Sequence, residues 1–281
     1  MTGGRGTAVI TGAGSGIGRA LSSLCAGRGY DLCLYDINAE ELHAAAENAR
    51  EAGIKVTDRC LDVADEGAVR QAAEEAAQAH GSVRLLFNNA GVALGGLFED
   101  NGSEDFRWLM EINFFGVVHM TRAFLPMLRA NPGRAQVVNL SSIYGIIAPV
   151  GQTAYSAAKF AVRGFSESLR HELEGTSVGV TVVHPGGVAT NIAKRARISP
   201  GLDPDFVRAQ QAQAEKALSM PPPRAAQLIL DAAERGDPRV IVGKDARFAA
   251  MVQRAFPTRY WQVLKTMPGL RAPAPPRIEQ G

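Results

Sequence analysis

Apolar positions along the chain switch period repeatedly. Short runs in which most residues are apolar or β-branched alternate with longer stretches in which apolar residues return every three or four positions. The runs at 7–11 (TAVIT), 31–36 (DLCLYD), 54–61, 83–88 (VRLLFN), 135–141 (AQVVNLS), 178–184 (VGVTVVH) and 239–243 (RVIVG) predict strands. The stretches at 16–28, 38–52, 65–80, 104–129 and 153–174 predict helices, the first with Ile17, Ala20, Leu21 and Leu24 on one face. A strand as apolar as 83–88 suits a parallel sheet covered on both sides. The alternation predicts a doubly wound α/β sheet.

Past residue 243 the pattern becomes purely helical. Phe248, Met251, Val252, Ala255 and Phe256 form one apolar stripe, Pro257 is expected to break it, and Tyr260, Val263, Leu264 and Met267 resume it. This predicts a helical appendage over 244–267 that packs on the body or on a second subunit. Its interspersed Arg247, Arg254, Arg259 and Lys265 make a membrane-surface helix the other reading. The stretch 268–281, PGLRAPAPPRIEQG, has no period and is expected to be disordered.

Composition narrows the function classes. The chain has 281 residues and a net charge of only +2, so nothing points to nucleic acid or an anionic surface as an overall partner. Cys25, Cys33 and Cys60 lack the close pairing of metal sites and read as reduced core thiols; no metal is expected. No signal-peptide pattern and no long apolar run occurs, so the expectation is a cytoplasmic protein.

The first strand runs into TGAGSGIG, residues 11–18. Gly12, Gly16 and Gly18 do not fit the strict G-x-G-x-x-G fingerprint, and the bland reading is a flexible turn. Their place between a strand and a helix favours a phosphate loop, where backbone approaches closely and free N–H groups meet negative charge. Asp36 ends the second strand, 18 residues past Gly18. A carboxylate there can accept from ribose hydroxyls and repel a 2′-phosphate, or it can cap the next helix. Its neighbours Ser15 and Ile37 offer no cation to such a phosphate.

Tyr155 and Lys159 stand four apart in a helical stretch, so both face one side. A phenol with a reference pKa near ~10 is a poor base at neutral pH, and a nearby ammonium is expected to lower it. Such a pair also occurs on many solvated helix faces. Ser142 lies 13 residues upstream at a strand end, with Ser141 beside it; periodicity does not choose between them. Asn113 sits inside a helical stretch that does not favour it, where a local hydrogen bond or a kink is the plain explanation.

Taken together, TGAGSGIG (11–18), LDV (61–63), NNAG (88–91), NFFG (113–116), Ser141-Ser142, YSAAK (155–159) and HPGGVAT (184–190) resemble the short-chain dehydrogenase/reductase family of the single-domain type, over residues 5–243. The set is specific, and no member of it is so alone. The resemblance implies a Rossmann-type fold and an NAD-dependent interconversion of a secondary alcohol and a ketone. It assigns Asn113, Ser142, Tyr155 and Lys159 as the catalytic tetrad, preferring Ser142 to Ser141. For the cofactor it implies Gly12, Ser15, Gly16, Ile17 and Gly18 at the pyrophosphate, Asp36 at the ribose, and Asp62 and Val63 beside adenine. It further implies Asn88, Asn89, Ala90 and Gly91 around the central strand end, and Pro185, Gly186, Val188 and Thr190 on the nicotinamide side. Lys159 would also hold ribose hydroxyls, and Asn113 a water leading to solvent. The implied partners are a small-molecule substrate and sister subunits in a homodimer or homotetramer.

Two other readings use the same residues. A nucleotide-sugar epimerase or dehydratase shares the Tyr-x-x-x-Lys pair, but the chain is short for it. A non-catalytic NAD-sensing protein would be expected to lose Tyr155 or Lys159. The segment 190–222 is expected to shape the substrate pocket, and its Ile192, Ile198, Leu202, Phe206, Leu218 and Met220 would suit an apolar, lipid-like substrate. An amphipathic helix pair packed on the body explains them equally well.

Overall fold

The computed structural model describes residues 4–198, 208 and 218–266. Its centre is a seven-stranded sheet built from β1 (Thr7–Thr11), β2 (Asp31–Asp36), β3 (Val56–Cys60), β4 (Leu85–Asn88), β6 (Ala135–Leu140), β7 (Val178–Pro185) and β9 (Arg239–Val242). The order across the sheet is β3-β2-β1-β4-β6-β7-β9, and every pairing is parallel. Two short strands, β5 (Leu94–Gly95) and β8 (Arg197–Ile198), pair separately.

Alternation along each strand feeds two cores. Ala8, Ile10, Leu32, Leu34, Leu85 and Phe87 point to one face, where α1 (Gly16–Gly27) and α7 (Pro222–Arg235) cover them. Val9, Cys33, Tyr35, Leu86 and Val137 point to the other, beneath α3 (Glu66–His80) and α5 (Gly116–Arg129). Burial on both faces is why these strands are almost uniformly apolar. Of the thiols, Cys25 and Cys33 are buried, whereas Cys60 is exposed at the end of edge strand β3, so it is not the core thiol expected.

The long helix expected over 104–129 is interrupted. It consists of α4 (Ser103–Met110), a π-helical turn at Glu111–Phe115, and α5. Asn113 lies in that turn and is fully buried.

After β9 come α8 (Lys244–Ala255) and α9 (Tyr260–Leu264), separated by the break at Pro257. The stripe expected on the first of these does not face inward as a whole. Ala246, Ala249 and Val252, with Leu264, pack on Ile143, Ile146 and Ile147. Phe248, Met251, Phe256 and Val263 stay exposed. Small residues let the helix approach the body closely, and its bulky ones lie on the outer side. Met267 and the tail at 268–281 lie outside the described residues, as do Leu202 and Phe206 of the expected pocket segment.

Candidate active site

The candidate residues gather at the carboxyl ends of the strands, around the point between β1 and β4 where the strand order reverses. Gly12 turns the chain out of β1 with φ +64°, and a Cβ on it would lie 2.9 Å from the Asn89 amide nitrogen. Gly18 lets α1 close onto this turn: a Cβ there would meet the Gly12 carbonyl oxygen at 1.9 Å. Ser15 precedes α1 in extended conformation and makes no side-chain capping hydrogen bond. The amides that open the helix at Gly16, Ile17 and Gly18 therefore get no cap from Ser15, which suits an anion in that place.

The two oxygens of Asp36 accept from the Gly14 N–H at 2.8 Å and the Asn38 N–H at 2.9 Å. The carboxylate thus ties the glycine loop to the end of β2 and keeps lone pairs for further donors. The cap of α2 (Ala39–Arg50) is Asn38, whose side chain accepts from the Glu41 N–H at 3.1 Å. Beside Asp36, Ile37 is 66% exposed and Asp62 is exposed as well. Val63 packs its side chain into the core, close to Gly116.

Sequence neighbours bring no cation to Asp36, but the fold does. Arg195 reaches across from the segment after β7, and its Nη1 donates to Glu41 Oε2 at 3.0 Å while Nη2 pairs with Oε1. This pair holds the Glu41 carboxyl below its usual range, and the Arg195 charge also feels Asp36. No local pattern could have revealed it, because 154 positions separate the partners.

Thr11 organises the central strand end. Its hydroxyl donates to the Phe87 carbonyl at 3.3 Å and accepts from the Asn89 and Ala90 N–H groups at 3.0 Å. Asn89 donates its amide to the Thr11 and Gly12 carbonyls. Asn88 is buried and donates instead to Thr121 and Asn139, so its role here is to bind β4 to β6 and α5. On the opposite side, Pro185 ends β7, and Gly186 fits only because it has no side chain, since a Cβ would meet Asp245 Oδ2 at 2.3 Å. Val188 is buried in the core and bridges to Met220. Thr190 lies over Gly16, 3.0 Å from where a Cβ would be.

The fold separates the two serines. Ser141 is buried and donates to the Lys159 carbonyl at 2.8 Å, so its hydroxyl is spent on holding α6 (Thr153–Glu172) to β6. Ser142 starts a 3-10 turn at Ile143–Gly145, its hydroxyl accepts from the Tyr144 N–H at 3.1 Å, and it lies near enough to the Tyr155 hydroxyl to favour the phenolate. His184 donates from Nδ1 to the Ser142 carbonyl at 2.9 Å, and burial pushes its pKa down to about 4, keeping the ring neutral. Its contribution to placing Ser142 had no signal in the sequence beyond its place in HPGGVAT.

Lys159 is buried beneath Tyr155. Its Nζ lies 5.6 Å from the tyrosine ring centre and donates to the Leu140 carbonyl at 3.0 Å. Burial lowers its pKa to about 8. For Tyr155, burial raises the pKa to about 12, with Ser142 acting the other way. The expected lowering by the ammonium does not appear: desolvation of the phenolate is the largest influence on the group. Asn113 is clamped to Val92, accepting its N–H at 2.8 Å and donating to its carbonyl at 2.9 Å. A Cβ on Gly91 would lie 3.2 Å from Asn113 Oδ1 and 3.5 Å from Lys159 Nζ, so both groups converge at that glycine.

The residues fit a dinucleotide: a side-chain-free turn, an open helix start, and a carboxylate at the second strand end. Comparison with known proteins agrees. The family described as short chain dehydrogenase matches residues 6–200. A Mycobacterium tuberculosis protein described as putative oxidoreductase SadH is 39% identical over 263 residues, covering 92% of this chain and 93% of the relative. The structure of a short chain dehydrogenase/reductase from Burkholderia phymatum in complex with NAD superposes with TM-score 0.81 at 29% identity, covering 94% of this chain and 96% of that one. A short-chain dehydrogenase from Streptomyces avermitilis also gives TM-score 0.81, at 28% identity and over 95% of this chain and 98% of its own.

Proposed function

Because the chain belongs to the short-chain dehydrogenase/reductase family of oxidoreductases, we propose that it interconverts a secondary alcohol and a ketone, with NAD(H) preferred to NADP(H). The observation that carries this reading is the meeting of Ser142 and Tyr155 above the buried Lys159. When bound, the nicotinamide accepts or supplies the hydride.

The residues of this chain would do the rest. Ser142 donates to the substrate oxygen and fixes it near the phenol. Tyr155 takes the hydroxyl proton in oxidation and returns it in reduction. Lys159 supplies the positive charge that favours the phenolate and can donate to ribose hydroxyls. Asn113, converging with Lys159 at Gly91, would hold a water on the lysine's route to solvent.

Asp36 supports the NAD preference through ribose hydrogen bonds and repulsion of a 2′-phosphate. The exposed Ile37 side chain beside it offers an apolar face to adenine. Gly12, Ser15, Gly16, Ile17 and Gly18 would take the pyrophosphate, and Pro185, Gly186 and Thr190 the nicotinamide end. Phe115 and Phe160, partly exposed on neighbouring helices, support association of the chain with itself. Ile192 and Ile198, half-buried in the segment after β7, support an apolar substrate.

The test is a panel of secondary alcohols and ketones assayed with both cofactors. Turnover with NAD(H) is expected. NADH binding without turnover of any member would leave a binding protein and overturn the catalytic reading.

A further inference from the structure

The exposed side of the two C-terminal helices carries a chemistry that packing on the body does not use. Phe248, Met251, Phe256 and Val263 are 40%, 61%, 53% and 41% exposed, although smaller residues of the same helices are buried. Residues 244–266 hold five basic side chains against one acidic one. Lys244, Arg247 and Arg254 fall on the same arc of α8 as Phe248 and Met251, at helical spacings of three and four. Arg259 and Lys265 flank α9.

The one acid does not neutralise this arc. Asp245 is exposed but lies off this arc by helical spacing, and it accepts the Gly187 N–H at 2.8 Å, fixing the start of α8 against the loop after β7. Tyr260 does the same for α9, its hydroxyl accepting the Ala148 N–H at 3.0 Å. The helices are therefore held by their inner faces and present a rigid surface with bulky apolar residues among cations.

We propose that this surface docks the protein on an anionic lipid bilayer. Exposed Phe and Met side chains among Arg and Lys match the layering of a lipid interface, with apolar groups below the headgroups and cations level with the phosphates. A second copy of the chain is a poor occupant, because a two-fold contact sets a patch against itself and here opposes arginine to arginine. The rest of the chain is no better matched: 267–281 carries two arginines and one glutamate. No helix among the described residues is long and apolar enough to cross a membrane, so contact stays at the surface. The docking does not depend on the proposed chemistry.

Flotation of the full chain tests it, using vesicles of phosphatidylcholine alone and of phosphatidylcholine with about one third phosphatidylglycerol. Binding is expected to the anionic vesicles only, and to weaken as salt is added. Arg254→Gln with Arg259→Gln should lower partitioning about fivefold per cation. Met251→Ser with Phe256→Ser should lower it more than tenfold at constant charge. Both pairs are exposed, so melting temperatures should stay at the wild-type value, which excludes misfolding as the cause. Equal binding to both vesicle types, no binding, or variants that float like the wild type would each overturn the proposal. So would an oligomer that the Met251/Phe256 pair splits while the wild type fails to float, since that result assigns the surface to a second copy.

Discussion

Arg195, in the segment after β7, grips Glu41 at the start of α2, within electrostatic reach of Asp36. The cation that the sequence around Asp36 lacks is thus present in the fold but occupied by a carboxylate. Wild-type protein is expected to prefer NAD(H), and Asp36→Ala to narrow the preference by removing both repulsion and hydrogen bonds. Glu41→Ala should free the guanidinium and strengthen NADPH binding about tenfold relative to NADH, the scale of one charge-assisted hydrogen bond. Fluorescence titration of the two cofactors measures this. An unchanged ratio in Glu41→Ala would show that Arg195 does not reach the 2′ position.

Tyr155→Phe keeps the ring and loses the proton. Turnover should fall by about 10²–10⁴, the usual worth of a positioned acid–base group, with NADH affinity unchanged. The serines should split in the same assay. Ser142→Ala should lose turnover while its melting temperature holds. Ser141→Ala should mainly lose stability, because it removes the buried hydroxyl that ties the Lys159 carbonyl, and with it α6, to the end of β6. Equal turnover losses in the two serine variants would contradict the division of roles.

Lys159 gives a stability prediction with a definite sign. Its pKa is lowered from 10.5 to about 8 by burial, so between those values the unfolded chain binds more protons than the folded one. Stability from this group therefore rises with pH across that window, and below about 8 the buried charge is a full cost. Lys159→Met should raise the melting temperature at pH 7 while abolishing turnover, and the gain should shrink toward pH 10. Tyr155, raised from 10.0 to about 12, has the opposite sign but acts only above 10. Thermal melts of both proteins across this range check it, and a gain that grows with pH would refute the assignment.

Truncation after Gly243 removes the cover from Ile143, Ile146 and Ile147, which follow Ser142 directly. Lower melting temperature and lower activity are expected together. The milder Leu264→Ala, at a fully buried site, should cost about 2–5 kcal/mol in denaturant melts. A truncated protein with unchanged stability, activity and oligomeric state would remove any packing role for these helices.

For alcohol oxidation the raised Tyr155 pKa implies a rate that climbs with pH, since the base must lose its proton first. Ketone reduction uses the protonated phenol and should not climb in that range. Initial rates in both directions across pH 6–10 test this, and parallel profiles would argue against Tyr155 as the shared acid and base.

Much of this protein was already legible in its sequence, because the deciding interactions are local. Short apolar runs and periods between three and four residues set the strands and helices, and parallel pairing follows from runs buried on both faces. Gly12 and Gly18 announce a turn where backbones meet, and Tyr155 and Lys159 share a helix face by spacing alone. The tertiary structure decided whatever depends on distant partners. Ser141 and Ser142 are indistinguishable until α6 arrives to claim one hydroxyl. Asn113 gains its meaning from Val92, and Glu41 from Arg195. The orientation of the C-terminal stripe followed from which residues allow close approach to Ile143, Ile146 and Ile147, a matter of side-chain volume against a specific surface. The sign of the Tyr155 shift was out of reach for the same reason: spacing locates the ammonium, but desolvation depends on everything the fold packs around the phenol.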